Sequence, residues 1–181
     1  VLACLALALG RARGALSAER EQQLVSELMA TPGLMAEVLK HESLIEPIAN
    51  NLARAKDVLY LGRGASYPTA LEGALKLKEI SYIHAEGYAS GEMKHGPIAL
   101  IDETMPVIVL APDDDVLEKT VSNLQEVAAR GGRIILVGDR KATTAAAVEL
   151  AGEIAMPPMA PRFARMVFAL PIQLLAYYTA V

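Results

Sequence analysis

The chain has no tryptophan, only 4% aromatic residues, a single cysteine and no basic tract. Each shortage excludes something. A net charge of −4 with so few rings argues against nucleic acid, which needs a positive field and often stacking platforms. One cysteine, Cys4, rules out an internal disulfide and any cysteine-clustered metal site, and fits a reducing, cytoplasmic compartment. Neither a complete dinucleotide fingerprint nor a P-loop is present, so no cofactor and no metal are expected. The apolar stretch Val1–Leu9 is too short to span a bilayer and lacks the basic start of a secretory signal. The run Phe163–Val181 is long enough, but Arg165, Pro171 and Gln173 make a buried core helix the better reading, so no membrane partner is expected.

What is present is a chain of 181 residues, 53% hydrophobic, enough for one domain and an added helical segment. It begins with Val and opens inside what reads as a helix, so we expect a piece of something longer. Val1 to about Ala12 reads as one helix. Ser17 caps a second, with Glu19 and Glu21 in its first turn and Leu24, Val25 and Leu28 on one face. Thr31-Pro32 is expected to start a third, and Ser43 with Glu46 has the spacing of a capping box for a fourth, ending near Lys56. From Asp57 the pattern changes to strands alternating with helices. Strands are expected at Val58–Gly62, Ile83–Gly87, Val107–Ala111 and Ile134–Gly138, with a weaker one at Glu153–Met156. Between the third and fourth lies a helix with Asp115 and Glu118 as its capping box and Gly131-Gly132 as its end. This order predicts an open parallel sheet with helices on both faces, and ligands beyond the carboxyl ends of its strands.

The stretch Leu71–Pro97 organises the rest. At about 100° per residue, Ala70, Leu71, Ala74, Leu75, Leu77 and Ile80 cover most of a helix surface, which predicts burial. Glu72, Lys76 and Glu79 instead share one stripe. They are either surface ion pairs or an acid–base set lining a cleft, and the second reading puts Glu79 partly buried at the carboxyl-end rim of the sheet. His95 lies in a loop rich in Gly, Lys and Pro, from which an imidazole can reach substrate or else cap the following helix. His84 reads as a satisfied core residue, His41 is assigned no role, and Cys4 reads as a small core residue. The turn Gly62-Arg63-Gly64-Ala65-Ser66 is either a tight strand-to-helix turn with Pro68 at the first helical position, or a sugar or phosphate contact through Gly64 and Ser66. The run Asp113-Asp114-Asp115 reads as helix capping, and its three carboxylates should repel phosphate.

The run LEGALKLKEISYIHAEGYASGEMKHGPIALID, with GRG before it and MPVIVLAP, ARGG and PIQLLAY after it, resembles the isomerase half of the glutamine:fructose-6-phosphate aminotransferases. The resemblance implies a three-layer α/β sugar isomerase (SIS) domain with a parallel sheet of about five strands over residues 46–181. A helical connecting segment would occupy residues 1–45. It further implies an enzyme of amino-sugar biosynthesis that converts fructose 6-phosphate, as its imine, to glucosamine 6-phosphate. Glu79 would move the proton between C1 and C2, Lys76 would position and polarise the substrate, and Glu72 belongs to the same helix motif. His95 would open the sugar ring, reaching the neighbouring subunit's site in a homodimer. The family's first SIS domain, which holds the phosphate, its glutaminase domain and the Schiff-base lysine of its C-terminal tail are not in this sequence, so these residues alone are expected to be inactive. The competing readings are a non-catalytic sugar-phosphate-sensing SIS module and a related sugar-amine isomerase or deglycase. A regulator would be expected to carry a DNA-binding helical domain and Ser-rich phosphate loops.

Overall fold

The computed structural model describes residues 1–181 in full. Three helices lead in: α1 (Leu2–Ala12), α2 (Ala18–Leu39) and α3 (Glu42–Leu52). Then come β1 (Asp57–Gly62), α4 (Tyr67–Ser81), β2 (His84–Ala89), β3 (Pro106–Ala111), α5 (Leu117–Ala128), β4 (Arg133–Gly138), α6 (Arg140–Ala146), β5 (Gly152–Ala155) and α7 (Pro161–Ala180). All five strands are parallel, in the order β2-β1-β3-β4-β5. The expected open α/β sheet is therefore present, and chain order reverses between β1 and β3.

The strands form where the apolar runs are. Val58 to Leu61, all of β3, and Ile134 to Val137 are buried, as a sheet covered on both faces requires. On one face Tyr60, Ile108 and Ile135 meet Val38 of α2, Ile45 and Leu52 of α3, Leu77 of α4, and Phe168 and Ile172 of α7. On the other, Leu61, Val109 and Leu136 meet Leu117, Leu124 and Val127 of α5 and Ala142 of α6. Helix α6 was not expected from the sequence; Asp139 caps it, accepting from Ala142 N at 3.0 Å.

Several local expectations fail, each for a packing reason. No helix starts at Thr31-Pro32, because α2 runs through Pro32. Leu24, Thr31 and Val38, seven residues apart in turn, form its buried stripe, and docking against α7 outweighs one lost backbone bond. Ser43 and Glu46 form no capping box, since α3 begins at Glu42 with His41 at its cap. There the Tyr178 hydroxyl of α7 donates to the Glu42 carboxylate, drawing the chain into the helix early. For α5 the cap position is Val116 rather than Asp115, and Asp114 Oδ1 accepts from Val116 N at 3.0 Å. Gly131 does end that helix region, with φ +81°.

Helix α7 has the length and hydropathy of a membrane span, yet half of its most apolar window is buried, as expected of a core helix. Cys4 is exposed rather than in the core, because α1 lies on α2 with no layer beneath it and buries none of its residues.

Candidate active site

Helix α4 is held close to the sheet by Gly73. A Cβ there would stand 2.6 Å from the Tyr60 ring, so only glycine permits this approach. That contact, with Ala70, Ala74 and Leu77, fixes which side of the helix faces inward. The opposite side is open, which corrects the expectation of burial all round: Leu71, Leu75 and Ile80 are each more than 40% exposed. Its main neighbours are β1, β2 and α7.

The predicted stripe forms on this open side. Lys76 Nζ donates to Glu79 Oε2 at 2.8 Å and stands 4.0 Å from Glu72 Oε1. The Glu79 hydrogen bond, reinforced by its charge and that of Glu72, raises the Lys76 amine above its usual range, so Lys76 is an ammonium at neutral pH. Glu79 is not buried in a cleft of this chain; its side chain is 48% exposed. Nor does it face the carboxyl-end rim. Helix α4 leaves the carboxyl end of β1 and delivers the chain to the amino end of β2, where His84 pairs with Asp57. Its last turn, which carries Glu79, therefore lies at the amino-end rim. There the helix stops at Tyr82, a non-glycine residue with φ +62° whose side chain is almost wholly exposed.

His84 is also exposed, which overturns the core reading. As the first residue of edge strand β2 it lies 3.5 Å from Glu86, whose carboxylate also accepts from the Tyr88 hydroxyl.

His95 ends a 3₁₀ segment, Ser90–His95, at the carboxyl end of β2. Buried Met93 and the Lys94–Glu126 ion pair at 2.9 Å pin the segment to α5, while His95 itself is exposed. Gly96 follows with φ +152°, a backbone state that keeps His95 out of the next turn and that other residues rarely adopt. Gly64 (φ +54°) and buried Ser66 form a 3₁₀ turn at the carboxyl end of β1, with Pro68 at the second rather than the first residue of α4.

The predicted residues thus fall into two groups. Glu72, Lys76 and Glu79 share a stripe that runs down α4 from the half nearer the carboxyl-end rim to Glu79 at the amino-end rim, and Gly64, Ser66 and His95 stand at the carboxyl end, roughly 20 Å of helix from Glu79. Sequence reasoning did not foresee the partner of Arg63 in the turn after β1, whose Nη1 donates to Asn123 Oδ1 of α5 at 2.9 Å.

A parallel sheet of this order, with an acid–base stripe on its first crossover helix, defines a class: the SIS domain profile matches residues 51–181, and the chain belongs to that family. Over all of its length it is 65% identical to the glutamine--fructose-6-phosphate aminotransferase [isomerizing] of Bradyrhizobium diazoefficiens and 62% identical to that of Agrobacterium fabrum. In each case the chain spans 30% of the relative's length. Among solved structures it matches the C-terminal domain of the Francisella tularensis glucosamine-fructose-6-phosphate aminotransferase with a TM-score of 0.95 and 41% identity, covering 99% of this chain and 50% of that one.

Proposed function

We propose that these residues form the second SIS unit of a glutamine:fructose-6-phosphate aminotransferase and supply the acid–base half of its isomerase site. The carrying observation is the Lys76–Glu79 hydrogen bond, 2.8 Å long, on the one open face of an otherwise docked helix. Glu79 removes a proton from C1 of the fructose 6-phosphate imine and returns one to C2, leaving the 2-amino aldose. The Lys76 ammonium orients Glu79 and polarises the substrate, and Glu72 holds Lys76 from the other side. The division at residue 45 into connecting segment and SIS unit belongs to the same reading, as do a homodimer, a glutaminase domain as partner and a cytoplasmic setting.

His95 opens the sugar ring in the site of the neighbouring subunit. The strand-length gap from Glu79 supports this, because no single chain can bring the two together across its own sheet. Mixing inactive Glu79→Gln and His95→Ala versions of the full-length enzyme tests the idea. Subunit exchange should restore activity, since one site of each mixed dimer then holds both intact groups. Confirmed exchange without recovered activity refutes the shared site.

A further inference from the structure

The segment that ends in His95 is fastened on both sides of the histidine. Before it, Lys94 pairs with Glu126 of α5 at 2.9 Å; after it, Arg130, just past α5, donates to the Ile98 carbonyl at 3.3 Å. Both fastenings reach into solvent, Lys94 being 62% exposed, and exposed contacts hold a backbone only weakly. A third contact is of another kind.

The register of β1 on β2 pairs Gly62 with Ala89, so the next residues, Arg63 and Ser90, leave the sheet side by side. Arg63 stays extended (φ −110°, ψ 142°) before the chain turns at Gly64. Its Nη1 reaches Asn123 Oδ1 of α5 at 2.9 Å, and Asn123 is only 8% exposed. The guanidinium also lies against Gly91, where a Cβ would stand 3.2 Å from Nη1. Asn123 and Glu126 are three residues apart on one face of α5, so the Arg63 contact and the Lys94 pair brace the same short segment. Buried Met93 holds it from within, packed in the core cluster that includes Leu124. Of the three polar fastenings, only the Arg63 contact is drawn largely out of water, where losing a charge-assisted hydrogen bond costs most. This layer is already short of partners. Ser90 Oγ and Glu126 Oε2 are buried with none, and removing the guanidinium would orphan Asn123 Oδ1 as well.

We infer that Arg63 is a positioning residue for His95. Through Asn123 and the backbone at Gly91 it sets where the 3₁₀ segment ends, and so where the imidazole stands. The inference rests on the ring-opening role given to His95 above. In that step the C2–O5 bond breaks, O5 gains a proton and the anomeric hydroxyl loses one. Displacing the group that moves these protons by about 1 Å can cost on the order of 10²-fold in rate.

Two substrates of the full-length enzyme separate positioning from general damage. Fructose 6-phosphate must be opened. In 5-deoxyfructose 6-phosphate there is no C5 hydroxyl to close a furanose, and the C6 oxygen is esterified, so the chain is always open. Arg63→Met keeps the stem and removes the guanidinium. It should lower kcat for fructose 6-phosphate by about 10-fold or more with KM little changed, and leave kcat for the open analogue near that of the unmodified enzyme. Asn123→Leu removes only the acceptor on α5; it should show the same split and provides the reading if Arg63→Met does not fold. Arg63→Lys, which can still donate to Asn123, should recover part of the loss. Adding Arg63→Met to His95→Ala should cost nothing beyond His95→Ala alone. Equal losses on both substrates, or a rise in KM for both from a direct contact with the sugar phosphate, overturn the positioning role. If His95→Ala itself fails to distinguish the two substrates, the ring-opening reading falls and takes this inference with it. If His95→Ala distinguishes them and neither Arg63→Met nor Asn123→Leu does, the inference alone falls.

Discussion

Helices α4 and α7 pack against each other on one face of the sheet, and α7 is the more apolar of the two. Their fates differ. Helix α7 is covered by α2, α3 and α4 and buries residues along its whole length, from Phe163 to Thr179. Helix α4 buries only one side, from Thr69 to Leu77, and on the other carries Glu72, Lys76 and Glu79 among exposed Leu71, Leu75 and Ile80. In α7 an apolar surface contributes stability. In α4 half of that surface is left outward around a charged stripe, an arrangement that costs stability and makes sense as a face another surface completes.

The contrast can be broken in four ways, in falling order of effect. Glu79→Gln in the full-length enzyme should cut isomerisation turnover by on the order of 10²-fold or more with thermal stability unchanged; unaltered turnover would remove α4 from the chemistry. In α7, Ile172→Ala should lower unfolding free energy by about 2–5 kcal/mol, since Ile172 is fully buried beside Gly73 and Tyr60. The matching change in α4, Leu75→Ala, should cost under about 1 kcal/mol in this chain, because Leu75 is already 41% exposed. Denaturant melts giving equal losses would mean that the two helices are buried alike.

Tyr82→Gly sharpens the comparison further. Replacing a positive-φ tyrosine at the end of α4 with glycine should stabilise the fold by about 0.5–1 kcal/mol. A loss instead would show that the exposed ring is gripped by something outside this chain. The smallest effect is alkaline. Tyr178 of α7 is pushed up to about 12 by its hydrogen bond to Glu42. A proton held more tightly in the folded state gives a contribution that is complete below the ordinary tyrosine value, near 10, and is lost as pH rises from there through about 12. Tyr178→Phe should flatten the pH dependence of stability in that window, measured by urea melts, and lower stability slightly at pH 7, where the hydroxyl's contribution is complete.

The sheet was legible in the sequence because its strands are uninterrupted apolar runs: VLYLG, PVIVLA and RIILVG could hardly be anything else. Helix starts were less legible, because a Ser-x-x-Glu spacing occurs whether or not tertiary contacts fix the first turn. At α3 the Tyr178–Glu42 contact, from the far end of the chain, decided the matter. The stripe itself was readable from helical spacing, but its rim was misjudged, although a crossover helix between parallel strands must end at the amino-end edge.

Tyr60 has a use of a different kind. With no tryptophan present, intrinsic ultraviolet signals come from six tyrosines, and Tyr60 is completely buried beneath Gly73 with its hydroxyl unpaired. Desolvation by burial raises its pKa well beyond the ordinary value, so it stays neutral in the folded protein where an ordinary tyrosine would ionise. Its phenolate absorbance should appear only when α4 lifts from β1, which makes this ring a built-in optical reporter of helix docking.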